Sequence, residues 1–214
     1  MKKLFLSLAI FPTFALAATV PEPIQIKSID ANAILRLQIP APADWTRVLY
    51  IVDGQGDHAL VLSRTEGASR DRPNPDRNEY IRLTAKYYGR TAGGWAQEWS
   101  LMDYSDCPEM DIAGDFLYKY VTVTDLDKNG HAEVTLPYHM FCGTGVDPHS
   151  LKVIMRDGDN KYAVRGESLI KEPSGMSFGG DRTFDKVLNT PEKAAYKQHL
   201  DRVWKRVVSV MHQY

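Results

Sequence analysis

From Ala132 to Met140 the chain alternates without a break. Ala132, Val134, Leu136, Tyr138 and Met140 share one parity, and Glu133, Thr135, Pro137 and His139 share the other. Successive side chains of an extended strand point to opposite faces, so this period of two predicts a half-buried β-strand. A helix, turning about 100° per residue, would scatter the five apolar residues around its circumference. Just upstream, Leu117, Lys119, Val121 and Val123 alternate with Tyr118, Tyr120, Thr122 and Thr124. The two runs predict antiparallel strands near the centre of a sheet, around Val121 and Val134. Pro137 brings no N–H to a ladder, so it predicts a sheet edge or a bulge at that point.

Other short runs between turn residues fit the same plan. Ile34–Ile39 stops at Pro40-Ala41-Pro42. Val48–Val52 is wholly apolar and enters Asp53-Gly54-Gln55-Gly56-Asp57, and Ala59–Ser63 leaves it. Glu66–Asn78 is polar and Pro-rich, and predicts a loop. Tyr80–Tyr88 and Trp95–Met102 predict aromatic strands, followed by an acidic connection over Asp103–Asp115. Leu151–Arg156 and Tyr162–Arg165 flank Asp157-Gly158-Asp159-Asn160, a hairpin signal. Asp57-His58-Ala59-Leu60-Val61 echoes Gly130-His131-Ala132-Glu133-Val134, each opening a strand after a Gly/Asp turn.

The C-terminal segment has another period. Tyr196, Leu200, Val203, Val207 and Val210 form a single helical stripe, preceded by Thr190 as N-cap and Pro191 at the first helical position. The expected fold is therefore mostly β: an antiparallel sheet of hairpins with a C-terminal helix, 190–212, packed on it. Residues 18–214 form one such domain on this reading.

Residues 1–17, MKKLFLSLAIFPTFALA, carry Lys2 and Lys3, an apolar stretch and a closing Ala-Leu-Ala. This is the pattern of a secretory signal peptide. Without the two lysines the net charge of −1 becomes −3. That balance excludes a nucleic-acid binder of the ordinary basic kind. No later run has the roughly 20 apolar residues of a membrane span. The expectation is an exported protein, in the periplasm, at the cell surface or released. In an oxidising compartment the two cysteines, Cys107 and Cys142, are expected to pair.

Within Asp125-Leu126-Asp127-Lys128-Asn129-Gly130-His131-Ala132-Glu133, oxygen side chains stand at positions 1, 3, 5 and 9, with glycine at 6. Calcium takes six to eight hard oxygen ligands, and alternate residues of a tight turn can aim them at one centre. Leu136 at position 12 and a strand exit separate it from the EF-hand. The turn resembles the strand–loop–strand calcium loops of integrin-type propellers. The candidate calcium ligands are Asp125, Asp127, Asn129, Glu133 and His131 through its carbonyl. The alternative is a plain Asp-rich hairpin turn. Asp53–Asp57 is a weaker copy. Trp95 and Trp99, four apart, share a face of a regular strand, either in the core or as a sugar-stacking platform. Paired carboxylates among Asp103, Asp106, Glu109, Asp111 and Asp115 would suit glycan hydrolysis, or simply form a solvated loop.

Several ordered segments carry a wider resemblance. They are Asp106-Cys107-Pro108, Thr122–Asp127 running on to Glu133, Cys142, Ser150–Met155, Lys161–Gly166, and Gly179-Gly180 before Phe184. Over roughly residues 100–210 the chain resembles exported bacterial proteins known as surface polysaccharide biosynthesis proteins. The resemblance implies a cell-envelope role and supports pairing of the cysteines. It brings no catalytic residue. The function expected is a non-enzymatic binding or assembly factor with a glycan or envelope-protein partner; the alternative is a carboxylate-dependent enzyme acting on envelope glycan.

Overall fold

A computed structural model describes residues 23–144, 147–172 and 174–210. The signal-peptide segment 1–17 and the end of the expected helix lie outside the described residues. Five antiparallel strands form the first sheet in sequential order: β1 (Gln25–Ile29), β2 (Trp45–Asp53), β3 (Gly56–Gly67), β4 (Tyr80–Thr91) and β5 (Gly94–Asp106). The second sheet holds β6 (Asp111–Phe116), β7 (Thr122–Thr124), β8 (Glu133–Gly143), β9 (Ser150–Asp157), β10 (Asn160–Glu167) and β13 (Arg182–Phe184). Its order is β13-β10-β9-β8-β6, with β7 also on β8. Leu169–Lys171 (β11) and Ser177–Gly179 (β12) make a small ribbon.

The sheets stack face to face. Leu49, Ile51, Leu60, Leu62, Ile81 and Leu83 from the first meet Val134, Leu136, Tyr138, Met140 and Ile154 from the second. Both outer faces are also covered. Helix α1 (Ala31–Leu37) sets Ile34 against Val48, Ala59 and Val61. Helix α2 (Ala194–Val207) sets Tyr196, Leu200, Val203, Trp204 and Val207 against Leu151, Val153, Met155 and Tyr162. This double cover explains the apolar stretches Val48–Ile51 of β2 and Ala59–Leu62 of β3, which are packed on both faces.

The expected antiparallel sheet with a C-terminal helix is present, and several local expectations need correction. Ile34–Ile39 is not a strand. Asp30 caps α1 by accepting from Ala33 N at 2.8 Å, and Gln38 ends it in the left-handed region at φ 56°. A six-residue run with four apolar residues cannot distinguish the two periods; the cap at Asp30 was the signal. The 117–124 run is strand only at β7, because Tyr118–Tyr120 turns as a 3-10 helix. The segment around Val121 thus lies at the margin of its sheet, while β8 is central. Pro137 sits inside that central strand, paired with Val153. Its carbonyl accepts from Leu117 N at 2.8 Å, so its nitrogen edge faces the gap between β6 and β7 where no ladder runs. Finally, the second face of β8 is not solvated. Glu133 and Thr135 are buried, and Thr122 and Thr135 both bond to His199 Nε2, at 3.0 and 3.1 Å.

The C-terminal segment opens with a 3-10 turn, Pro191–Lys193, and becomes α-helical only at Ala194, ending at Val207 rather than 212. The Thr190 side chain makes no capping bond. The acidic connection is short: Asp103 and Asp106 belong to β5, and Asp111 and Asp115 to β6.

Candidate functional site

One end of the sandwich gathers the polar turns. The β2–β3 turn lies against the loop that opens β8. Gly54 N donates to Gly130 O at 2.7 Å, Ala132 N to Asp53 Oδ2 at 2.8 Å, and the Gln55 amide meets His131 Nδ1 at 3.1 Å. The two segments that echo each other in sequence are thus neighbours in space. A methyl group at Gly54 would stand 2.8 Å from the Gly130 carbonyl oxygen, so only glycine permits this approach.

Asp125, Asp127 and Glu133 each bring a carboxylate oxygen to within 4.8 Å of the others. Two ligands on opposite sides of a calcium ion, each about 2.3–2.6 Å away, stand about 4.6–5.2 Å apart, so the separation of the three carboxylates is compatible with one ion. The backbone turns left-handed at Lys128 and Gly130 to achieve this. Asn129 N and Gly130 N donate to Asp125, Asn129 donates to Asp127, and Asn129 Oδ1 accepts from His131 N at 2.7 Å. The His131 ring turns away to Gln55. Glu133 is buried and accepts from Leu126 N and Thr124 Oγ1. Burial pushes its carboxyl pKa up, with Asp127 adding to the effect against these hydrogen bonds. The Tyr196 hydroxyl lies 3.1 Å from both Asp127 Oδ2 and Asp157 Oδ2. One hydroxyl proton serves only one carboxylate at a time; the Lys193 ammonium, 4.2 Å from the Tyr196 ring, also feels Asp127 and Asp157.

Beside it, Asp53 is almost wholly buried and accepts from His58 Nε2 at 3.1 Å, Gln55 N and Ala132 N. Burial alone would raise its pKa; these bonds outweigh that and hold it low. The weaker copy at Asp53–Asp57 therefore spends its first carboxylate on the fold.

The expected disulfide is present. Cys107, just after β5, bonds to Cys142 in β8 with Cα atoms 5.6 Å apart, joining the two sheets. Among the described residues no helix is long and apolar enough to cross a membrane.

Compared with family models, curated proteins and solved structures, the chain matches none.

The tryptophans do not form a platform. A register shift in the β4–β5 ladder pairs Tyr87 with Trp99 and Tyr88 with Gln97, leaving Glu98 as the extra residue of a bulge. Trp99 therefore enters the core between the sheets, while Trp95 falls on the other face and donates to Leu37 O. A different surface is open. On the outer face of the first sheet, beyond α1, a concavity of about 390 Å³ is lined by Arg70, Asp71, Tyr80, Arg82, Met102, Tyr104 and Asp106. Tyr104 and Met102 are 59% and 62% exposed, and Arg70 stacks on Tyr80 at 4.3 Å. Arg82 Nε and Asp106 Oδ1 have no protein partner. A second concavity sharing Arg82 and Met102 extends the groove toward Lys86. Periodicity gave no hint of this groove, because it depends on α1 stopping short.

Of the loop carboxylates that would suit hydrolysis in the alternative reading, only Asp106 lines this groove. Asp103 pairs with Lys152 and accepts from Tyr138, and Asp115 accepts from Phe116 N.

Proposed function

We propose that this protein is an exported cell-envelope binding module that takes up a surface glycan along the groove between Tyr104 and Lys86, with the Asp125–Glu133 turn as a calcium staple at the far end. The observation that carries the reading is the groove's chemistry. An exposed tyrosine ring offers an apolar face to a sugar ring. Arg70, Asp71, Arg82 and Asp106 line the same concavity, so it presents both donors and acceptors beside the ring. The groove is open and elongated, as an extended polymer requires. The disulfide supports an oxidising compartment, and the resemblance to surface polysaccharide proteins points the same way.

The test is a glycan array on the purified protein, with a hydrolysis readout on every ligand that binds. Binding lost in Tyr104→Ala and in Arg82→Ala, with unchanged melting, is the expected result. Release of shortened glycan would transfer the assignment to a carboxylate-dependent enzyme. No binding to any glycan would remove the reading.

A further inference from the structure

Strand β4 carries a row of cations on its outer face. Ile81, Leu83, Ala85 and Tyr87 point into the core between the sheets. Arg82, Thr84 and Lys86 have the other parity and line the groove. Four residues of extended chain set Arg82 and Lys86 roughly 13 Å apart along the strand. Arg70, stacked on Tyr80 at 4.3 Å, adds a third cation at the end nearer Tyr104.

Among the described residues none of these three makes an ion pair, whereas Arg64, Arg77, Lys152, Arg165 and Arg182 each have a carboxylate partner. Arg82 donates to the Thr65 hydroxyl at 3.2 Å, a neutral group. The carboxylates of the groove are differently placed. Asp44 accepts from the Thr65 hydroxyl. Asp106 Oδ2 accepts from Arg70 N at 3.0 Å, and its Oδ1 is buried. Both are held back by the fold, which leaves Asp71 as the exposed carboxylate of the lining. Three cations thus stand open against one acid.

The whole chain has a net charge of −1, so an anion gains nothing from the protein at large. Only a local group of cations can hold it. A guanidinium presents a planar fork of donors that matches the paired oxygens of a carboxylate or a phosphate, and an ammonium adds a point charge. Uncharged sugar hydroxyls call for neither.

We propose that the ligand of this groove is an anionic glycan, with its carboxylate or phosphate groups on Arg70, Arg82 and Lys86 and a sugar face on Tyr104. This rests on the glycan reading of the groove given above and names the class of glycan. The distance from Arg82 to Lys86 exceeds one sugar ring, so the groove selects an oligomer over a monosaccharide.

The experiment is calorimetry of the purified protein with two matched pairs of probes. One is oligogalacturonate and its carboxyl-reduced form; the other is a phosphorylated oligomannose and its dephosphorylated form. In at least one pair the charged form is expected to bind about tenfold more tightly than the neutral form, with the difference eroded by salt. The pair that responds tells carboxylate from phosphate. Lys86→Gln should lower the charged-to-neutral ratio by about threefold, and Arg70→Gln, at an exposed residue, repeats the measurement independently. Lys27→Gln, in a separate concavity beside α1, should leave the ratio unchanged. Equal affinity within both pairs overturns this inference and leaves glycan uptake standing. A ratio that falls as far in Lys27→Gln overturns it as well, because net charge and not the groove would then be responsible. Binding of none of the four probes overturns it too, and the glycan array then decides the broader reading by itself.

Discussion

Ala132 N donates to Oδ2 of Asp53 at 2.8 Å, across 79 residues of chain. With that bond the β2–β3 turn of one sheet grips the loop that opens β8 in the other. The calcium-type turn and the Asp53–His58 pair therefore share a wall.

That wall rests on Gly54. In Gly54→Ala the new methyl would meet the Gly130 carbonyl oxygen at 2.8 Å, backbone against side chain with no flexible group to yield. A loss of about 1–3 kcal/mol in urea unfolding is expected, as for other overpacked sites. A change below a few tenths would mean that the turns are not in contact in solution.

Calcium should stabilise the protein through Asp125, Asp127 and Glu133. With a Kd in the range of extracellular modules, about 10⁻⁴–10⁻³ M, several millimolar calcium adds about 1–2 kcal/mol. Melting curves in chelator and in CaCl₂ measure it, and Asp127→Ala should abolish the shift. Because burial raises the Glu133 carboxyl pKa, the calcium gain should fade on acidification sooner than for an ordinary carboxylate. An equal shift in Asp127→Ala would leave only an Asp-rich hairpin.

Two buried histidines should pull the pH dependence in opposite directions. Burial, with Arg202, lowers the pKa of His199 below its ordinary value of 6.5. The unfolded chain then binds more protons in the window below 6.5, so the stability carried by neutral His199 is lost as pH falls through it. For His58 burial also lowers the pKa, but Asp53 and Glu98 outweigh it and the net shift is upward. Its contribution is full below 6.5 and is lost as pH rises through the folded value. Unfolding across pH in chelator, for His199→Gln and His58→Gln against wild type, should show differences that shrink at low and at high pH respectively. Parallel curves would refute both.

Leu200 is fully buried under the second sheet. Leu200→Ala should cost about 2–5 kcal/mol. A cost under about 0.5 kcal/mol would mean that α2 is loosely docked.

The disulfide spans 35 residues and joins the sheets. Cys107→Ser with Cys142→Ser should cost about 3–4 kcal/mol by loop entropy. Reduction of the wild type should approach the same value in denaturant titration.

The sequence alone determined features that depend on near neighbours. The period of two placed β8, and set its Val134, Leu136 and Tyr138 face toward the core. The 4-3-4 spacing from Tyr196 marked the helical stripe, and alternate oxygens from Asp125 marked the acidic turn. Each follows from geometry repeated within a few residues. The tertiary structure decided the rest. Nothing near Glu133 and Thr135 says that α2 buries their face. Trp95 and Trp99 are spaced for one face, and a one-residue bulge puts them on two. Asp53, His58 and Glu98 meet through strand pairing and a bulge within the first sheet, and Ala132 joins them only because two sheets stack. Such contacts join residues far apart along the chain, and their energy comes from burial and pairing that exist only once both partners are in place.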